Sequence, residues 1–256
     1  DKVKRDKYVK HLYKKLQREG QLERDVDRLV RNDRIAWGAS MIACKDADAM
    51  VTGNIRHYAA SIEKLKKVTE PRPGEEIFGM TMITLKGKTI LVADTNVQDF
   101  PSPERLVKVS KSCVRVARLF GFDPKVAFLS HSTFGKPISK NTKHVRDAID
   151  LLKKEKVDFD FDGEMQPDVA LNPIYQEIYP FSKIVGNANI LIMPALHSAA
   201  ISTKLMKVFG GGKLIGPLLI GLGSPIEVAP LRASTSEILN LASIAAYSSD
   251  VIDYSN

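Results

Sequence analysis

Several short stretches of this chain place hydroxyl, carboxylate or cationic side chains beside apolar runs, where a folded domain presents them to a ligand. Ser130-His131-Ser132-Thr133-Phe134-Gly135-Lys136 follows the apolar run at 126–129. Hydroxyls, a glycine that lets backbone amides converge and a lysine suit a phosphoryl group. The same composition also serves as a plain polar link from a strand to a helix. Ser132, Thr133 and Lys136 are its candidate contacts. His131 beside Ser132 is no catalytic dyad, because a nucleophile needs a hydrogen-bonded base held by a third group.

Asp162-Gly163-Glu164-Met165-Gln166-Pro167-Asp168 sets three carboxylates after an alternating run at 157–161. They could hold a cation or move protons. Acidic residues placed at a helix start by its dipole are the other reading. Asp162 is the candidate contact there. His197, in the small-residue turn at 193–200, has the setting of a structural polar contact as well as of a ligand contact. Gly210-Gly211-Gly212-Lys213 lacks the GxxxxGK[ST] frame of a phosphate loop and follows a helix pattern. Ser234-Thr235-Ser236-Glu237 reads as a capping box, so Glu237 has a structural role available. Arg232, the cation in the preceding loop, is the local candidate for an anionic ligand, and Arg56 is a second cation that follows the short apolar run closed by Gly53.

The chain has 256 residues, 44% of them hydrophobic and 27% charged, which is globular composition. Cys44 and Cys113 are too few for a disulfide framework and have no CxxC partner for zinc. Neither a run of ~18 apolar residues nor a signal-peptide core occurs, so a cytoplasmic protein away from the membrane is expected. The net charge is +8, with lysines and arginines concentrated near the start. Tyr8, Leu12 and Leu16 recur there at helical spacing, so the cations read as the solvated side of an amphipathic helix rather than a nucleic-acid surface. A polyanionic small ligand would also benefit from that charge. The opening lacks Met and enters a helix pattern at once, as expected of a segment of a longer protein.

Helices are expected across the first ~45 residues, one ending at Gly20, then a strand at 49–51. The Pro71-Arg72-Pro73-Gly74 cluster marks a lobe boundary. Strands at 77–85 and 89–93 flank a hairpin turn. Ser102-Pro103 starts a helix whose buried stripe is Leu106, Val109, Cys113, Val116 and Phe120, which makes Cys113 a core residue rather than a nucleophile. Strands at 126–129, 157–161, 189–193 and 214–220 alternate with helices, and a final helix spans 235–247. That alternation predicts α/β architecture with mostly parallel strands.

ADAMVTG (47–53), VAFLSHSTFG (126–135), DGEMQPDVAL (162–171), ANILIMPALHSA (188–199) and GPLLIGL (216–222) occur in this order. Together they resemble the motifs of the phosphate acetyl/butyryl transferase family. The resemblance covers nearly the whole chain. It implies a two-lobed phosphotransacetylase-like (isocitrate dehydrogenase-like) fold with a cleft between the lobes, one lobe being 1–75 plus 216–256 and the other 76–215. Laid on without gaps, the family's Ser-Arg pair falls on Pro230 and Leu231 and its catalytic aspartate on Glu237. Its phosphate-loop lysine is displaced, and Ala195 and Ala200 replace an acid and an asparagine. HYAASIEKLKKVTEPRPG, LSHSTFG and MPALHSAAISTK are similar to the C-terminal domain of large NADP-dependent malic enzymes. That resemblance implies a regulatory, self-associating domain that binds acetyl-CoA or a related ligand without turnover. NADP and a divalent Mg or Mn ion would then serve the malate-oxidising part outside this stretch, with no cofactor within it. An active phosphate acyltransferase and a purely structural dimerisation module are the other readings.

Overall fold

The computed structural model describes residues 1–93, 100–137, 142–252 and 254. Three helices open the chain, α1 (Lys2–Leu16), α2 (Glu23–Asn32) and α3 (Arg34–Ala43), followed by β1 (Met50–Gly53) and α4 (Tyr58–Val68). Strands β2 (Phe78–Leu85) and β3 (Lys88–Ala93) lead to α5 (Pro103–Leu119), β4 (Lys125–Leu129), α6 (Lys143–Glu155) and β5 (Asp160–Met165). Short α7 (Pro167–Leu171) and α8 (Pro173–Gln176) precede β6 (Ile190–Ile192), α9 (Leu196–Gly210), β7 (Lys213–Ile220), β8 (Ile226–Ala229) and α10 (Thr235–Val251). These elements form two compact units, Asp1–Gly74 with Gly221–Asn256, and Glu75–Ile220.

In the first unit, α1 buries Tyr8, Val9, Leu12 and Leu16 and turns most of its lysines to solvent. The Tyr8 hydroxyl donates to Asp46 Oδ2 at 2.7 Å. Burial first, and then the neighbouring carboxylate, push that phenol up to about 12. The 3₁₀ turn after α1 stops at Gly20, whose φ of 80° suits a residue without Cβ. Strands β1 and β8 pair in parallel, Met50 with Ile226 through Gly53 with Ala229.

The second unit holds, among the described residues, a sheet of order β5-β4-β6-β3-β2-β7. Strands β5, β4, β6 and β3 are parallel, and β2 runs antiparallel to both β3 and β7. Residues 216–220, expected in the first lobe, complete β7 and hydrogen-bond along β2, so the first unit resumes at Gly221. Helix α5 starts as its sequence indicates: the Ser102 side chain accepts from the Arg105 amide and Pro103 occupies the first turn. Leu106, Val109, Cys113 and Val116 are buried, whereas Phe120 caps the helix and is only half-buried. No helix among the described residues is long and apolar enough to cross a membrane.

Strand β5 departs from expectation. The run at 157–161 looks like a strand, yet pairing with β4 starts at Lys125 with Asp160 and ends at Leu129 with Met165. The strand therefore contains Asp162 and Glu164, both buried, and the acidic stretch is not a loop beyond the strand. Gly163, between them, has φ of 146°, and a Cβ built there would stand 2.6 Å from the Phe128 carbonyl oxygen. Gly163→Ala is therefore expected to destabilise the protein by about 1–3 kcal/mol, read as a lowered midpoint in thermal or denaturant unfolding; an unchanged midpoint would show that β4 and β5 tolerate the side chain.

Candidate functional site

In parallel α/β sheets, ligand-binding side chains gather beyond the carboxyl ends of the strands. In the second unit the loop after β4 occupies that position. Thr133 and Lys136 exchange backbone hydrogen bonds, Thr133 N to Lys136 O at 2.9 Å and Lys136 N to Thr133 O at 3.1 Å. Phe134 and Gly135 between them have φ of 47° and 85°. Positive φ at both central residues makes this a tight turn of primed type, which Gly accepts readily and Phe does not. Phe134 is held by packing: its ring centroid lies 5.2 Å from that of Tyr179 and 4.8 Å from that of Phe181.

The turn closes over a carboxylate. Glu164 on β5 is 1% exposed. Its Oε1 accepts from the Gly135 amide at 2.9 Å, the Ser132 hydroxyl at 3.1 Å and Arg146 Nη1 at 3.2 Å. The Phe134 amide donates to the Glu164 carbonyl at 2.8 Å. Ser132 is fully buried by these contacts. Thr133 Oγ1 accepts from the Gln166 amide at 3.2 Å. Asp162 accepts from the amides of Gly163 at 2.9 Å and Lys183 at 2.7 Å, which ties β5 to the segment before β6. Lys136 is exposed.

Small-ligand sites are typically cavities of about 300–1,000 Å³, and one of ≈ 480 Å³ opens beside this loop at the ends of β4 and β6. Ser130, His131, Thr142, His144 and His197 line it together with Phe100. The Phe100 ring centroid is 6.2 Å from that of His144 and 6.1 Å from that of His197. His144 Nε2 lies 3.0 Å from the Pro194 carbonyl oxygen. Hydroxyl and imidazole groups of this kind hydrogen-bond to carbonyl or anionic oxygens. Among the described residues no carboxylate lines the cavity, and none groups three or more His, Cys, Asp or Glu for a metal ion.

In the first unit the loops after β1 and β8 are stitched together. The Asn54 amide donates to Ala229 O at 3.2 Å and the Arg232 amide to Asn54 O at 3.0 Å. Arg232 is exposed, with φ of 58°. Glu237 completes the capping box at the start of α10, its Oε2 accepting from the Ser234 amide at 2.8 Å and hydroxyl at 2.9 Å. Arg56 pairs with Asp33 at 3.4 Å, and Lys64 is bonded to the same Asp33 oxygen. A cavity of ≈ 630 Å³ is lined by Arg34, Asn54 and Arg56.

Of the residues singled out from sequence, Ser132, Thr133, Asp162 and Glu237 are engaged in bonds within the chain, Arg56 is ion-paired, and Lys136 and Arg232 are exposed. Glu164, Arg146, Asp33 and His144 were not singled out. Glu164 lay within the acidic stretch, beyond the run read as a strand, and only the true extent of β5 brings it out; Arg146, on α6, had no signal.

The comparisons with known proteins agree on one relationship. The family described as phosphate acetyl/butaryl transferase matches residues 1–246. An NADP-dependent malic enzyme of Rhizobium meliloti is 45% identical over 94% of this chain and 32% of its own length. A phosphate acetyltransferase of Bacillus subtilis is 27% identical over 90% of this chain and 72% of its own. The crystal structure of a phosphotransacetylase from Streptococcus pyogenes superposes with a TM-score of 0.86 at 28% identity, covering 98% of this chain and 75% of that one. The chain thus has the phosphotransacetylase fold, and it spans about a third of the malic enzyme's length (32%).

The Asp33 cluster offers a test of the first unit. Burial pushes the Asp33 carboxyl up, but the Lys64 hydrogen bond and the Ile35 and Ala36 amides outweigh it, and the net effect lies below the usual aspartate value. A carboxyl whose folded pKa is depressed adds stability above its unfolded value, and that contribution is lost as pH falls through the folded one. Asp33→Asn keeps an N-cap side chain but loses the charge that holds Lys64 and Arg56, and is therefore expected to cost about 1–3 kcal/mol near pH 7. The gap from wild type should close below about pH 4. A pH-independent gap in urea midpoints would show that the charge does not matter.

Proposed function

This chain belongs to the phosphate acetyl/butaryl transferase family, and from that premise we propose that it is a regulatory and oligomerisation domain of an NADP-dependent malic enzyme. In this reading it binds acetyl-CoA or a related acyl-CoA without turning it over. The parent would oxidatively decarboxylate malate to pyruvate in the cytoplasm, with NADP and a Mg or Mn ion held by residues outside this chain. The observation that carries the non-catalytic part is the loop after β8. Pro230 and Leu231 stand where the family's Ser-Arg pair falls, so neither a hydroxyl nor a guanidinium is supplied there. Glu237, at the family's acid position, spends its carboxylate on the Ser234 amide and hydroxyl. Loss of one preorganised donor costs ~10²–10³ in rate, and two adjacent losses leave little chemistry.

The acyl-CoA part is supported in the first unit by Arg232, an exposed cation after β8 that we assign to the ligand's phosphates; Lys136 is an exposed cation of the second unit. Arg56, held by Asp33, lines the first-unit cavity. Ser132, Thr133 and Asp162 shape the second-unit loop, and Glu237 the start of α10. A ligand regulates by binding two states differently, with a coupling of ~1–3 kcal/mol. Self-association is supported by α9, where Ile201, Leu205, Val208 and Phe209 recur along one side and are each more than half exposed.

Calorimetric titration with acetyl-CoA, run beside an assay for acetyl phosphate formation, tests the reading: binding without turnover is the expected outcome. Arg232→Ala is expected to weaken binding about fivefold, near 1 kcal/mol, and unchanged affinity would remove it from the site. Measured turnover would instead favour an active phosphate acyltransferase in which Glu237 leaves its cap to act as the acid position of the family.

A further inference from the structure

We infer that Glu164 is a built-in anion: its carboxylate fills the oxyanion position of the loop after β4 and so excludes phosphate from it, making Glu164 a residue that determines which ligands the second unit accepts. Three donors of different kinds meet on the single atom Oε1: the Gly135 backbone amide, the Ser132 hydroxyl and the Arg146 guanidinium, at 2.9, 3.1 and 3.2 Å. A backbone amide turned inward by residues of positive φ, a hydroxyl and a cation are the parts from which protein oxyanion sites are assembled. Positive φ at Phe134 and Gly135 is what aims the amide at the carboxylate.

The position is closed to solvent. Glu164 is 1% exposed and Ser132 is fully buried. The carboxylate is carried by β5, which pairs with β4 in the sheet. A free anion could reach these donors only by displacing a carboxylate that is covalently part of the fold and already oriented, an intramolecular partner whose effective molarity is far above millimolar. The loop that looks in sequence like a phosphate cradle is thus self-liganded.

This goes beyond the acyl-CoA reading and is tested apart from it. Glu164→Ala removes the internal anion and leaves the donors. Its thermal midpoint in chloride is expected to fall below that of wild type, and to recover by several degrees when inorganic phosphate or formate replaces chloride at equal ionic strength. Wild type is expected to gain no such specific increment. Glu164→Ala showing no anion-dependent recovery, or wild type gaining equally, would overturn the inference. If Glu164→Ala does not fold, wild type still decides: titration with inorganic phosphate should leave the Gly135 amide resonance in place, whereas a saturating shift of that resonance would overturn the inference. Acetyl-CoA titrated into the same wild-type sample reports separately on the acyl-CoA reading, whose failure leaves the anion result standing.

Discussion

A carboxylate taken out of water must be met by donors, or it costs several kcal/mol. Glu164 meets that demand on the surface of β5, and the loop after β4 takes its shape from the solution. The Ser132 hydroxyl turns inward, the Phe134–Gly135 turn adopts positive φ, and Arg146 reaches in from α6. The unfavourable backbone of Phe134 persists because its amide bonds the Glu164 carbonyl and its ring packs on Tyr179 and Phe181. Asp162, two residues before Glu164, does the same for the segment before β6 through the Lys183 amide. One strand with two buried acids therefore organises much of the second unit's ligand end.

The first unit repeats the principle with different parts. Asp33 caps α3 through the Ile35 and Ala36 amides and also gathers Lys64 and Arg56. Arg56 is half-exposed and anchored, so it is a cation preorganised at the cavity beyond β1 rather than a free surface charge. Glu237 is likewise consumed at the start of α10. Asp33, Asp162, Glu164 and Glu237 are thus already acceptors for the fold's own donors.

Much of the architecture was legible. Periodic stripes gave α1 and α5, turn chemistry gave the β2–β3 connection, and the Ser234–Glu237 spacing gave the capping box that the structure contains. What misled was β5. Hydrophobic alternation marks a strand only where polar residues face water, and this strand buries its polar residues against partners from distant elements. Local pattern points to the run at 157–161, whereas long-range satisfaction of Asp162 and Glu164 places the strand at Asp160–Met165. The candidate site suffered for the same reason. Residue type nominated Ser132 and Thr133 after β4 and Asp162 within what proves to be β5, but whether a hydroxyl faces a ligand or a neighbouring carboxylate depends on contacts such as Arg146 with Glu164 that no local spacing encodes.

The pattern of what is kept and what is lost bears on function. A cleft evolved for turnover needs charge donors that are free until the transition state forms. In this chain the donors of the β4 loop are already satisfied by Glu164, the position after β8 offers Pro230 and Leu231, and Glu237 is capped. Lys136 in the second unit and Arg232 in the first are exposed, and the second-unit cavity is lined by His131, His144 and His197. Imidazoles of this kind hydrogen-bond to carbonyl or anionic oxygens. A group already satisfied in the ground state has little in reserve to bind a developing charge more tightly, which is the physical distinction between holding a ligand and transforming it.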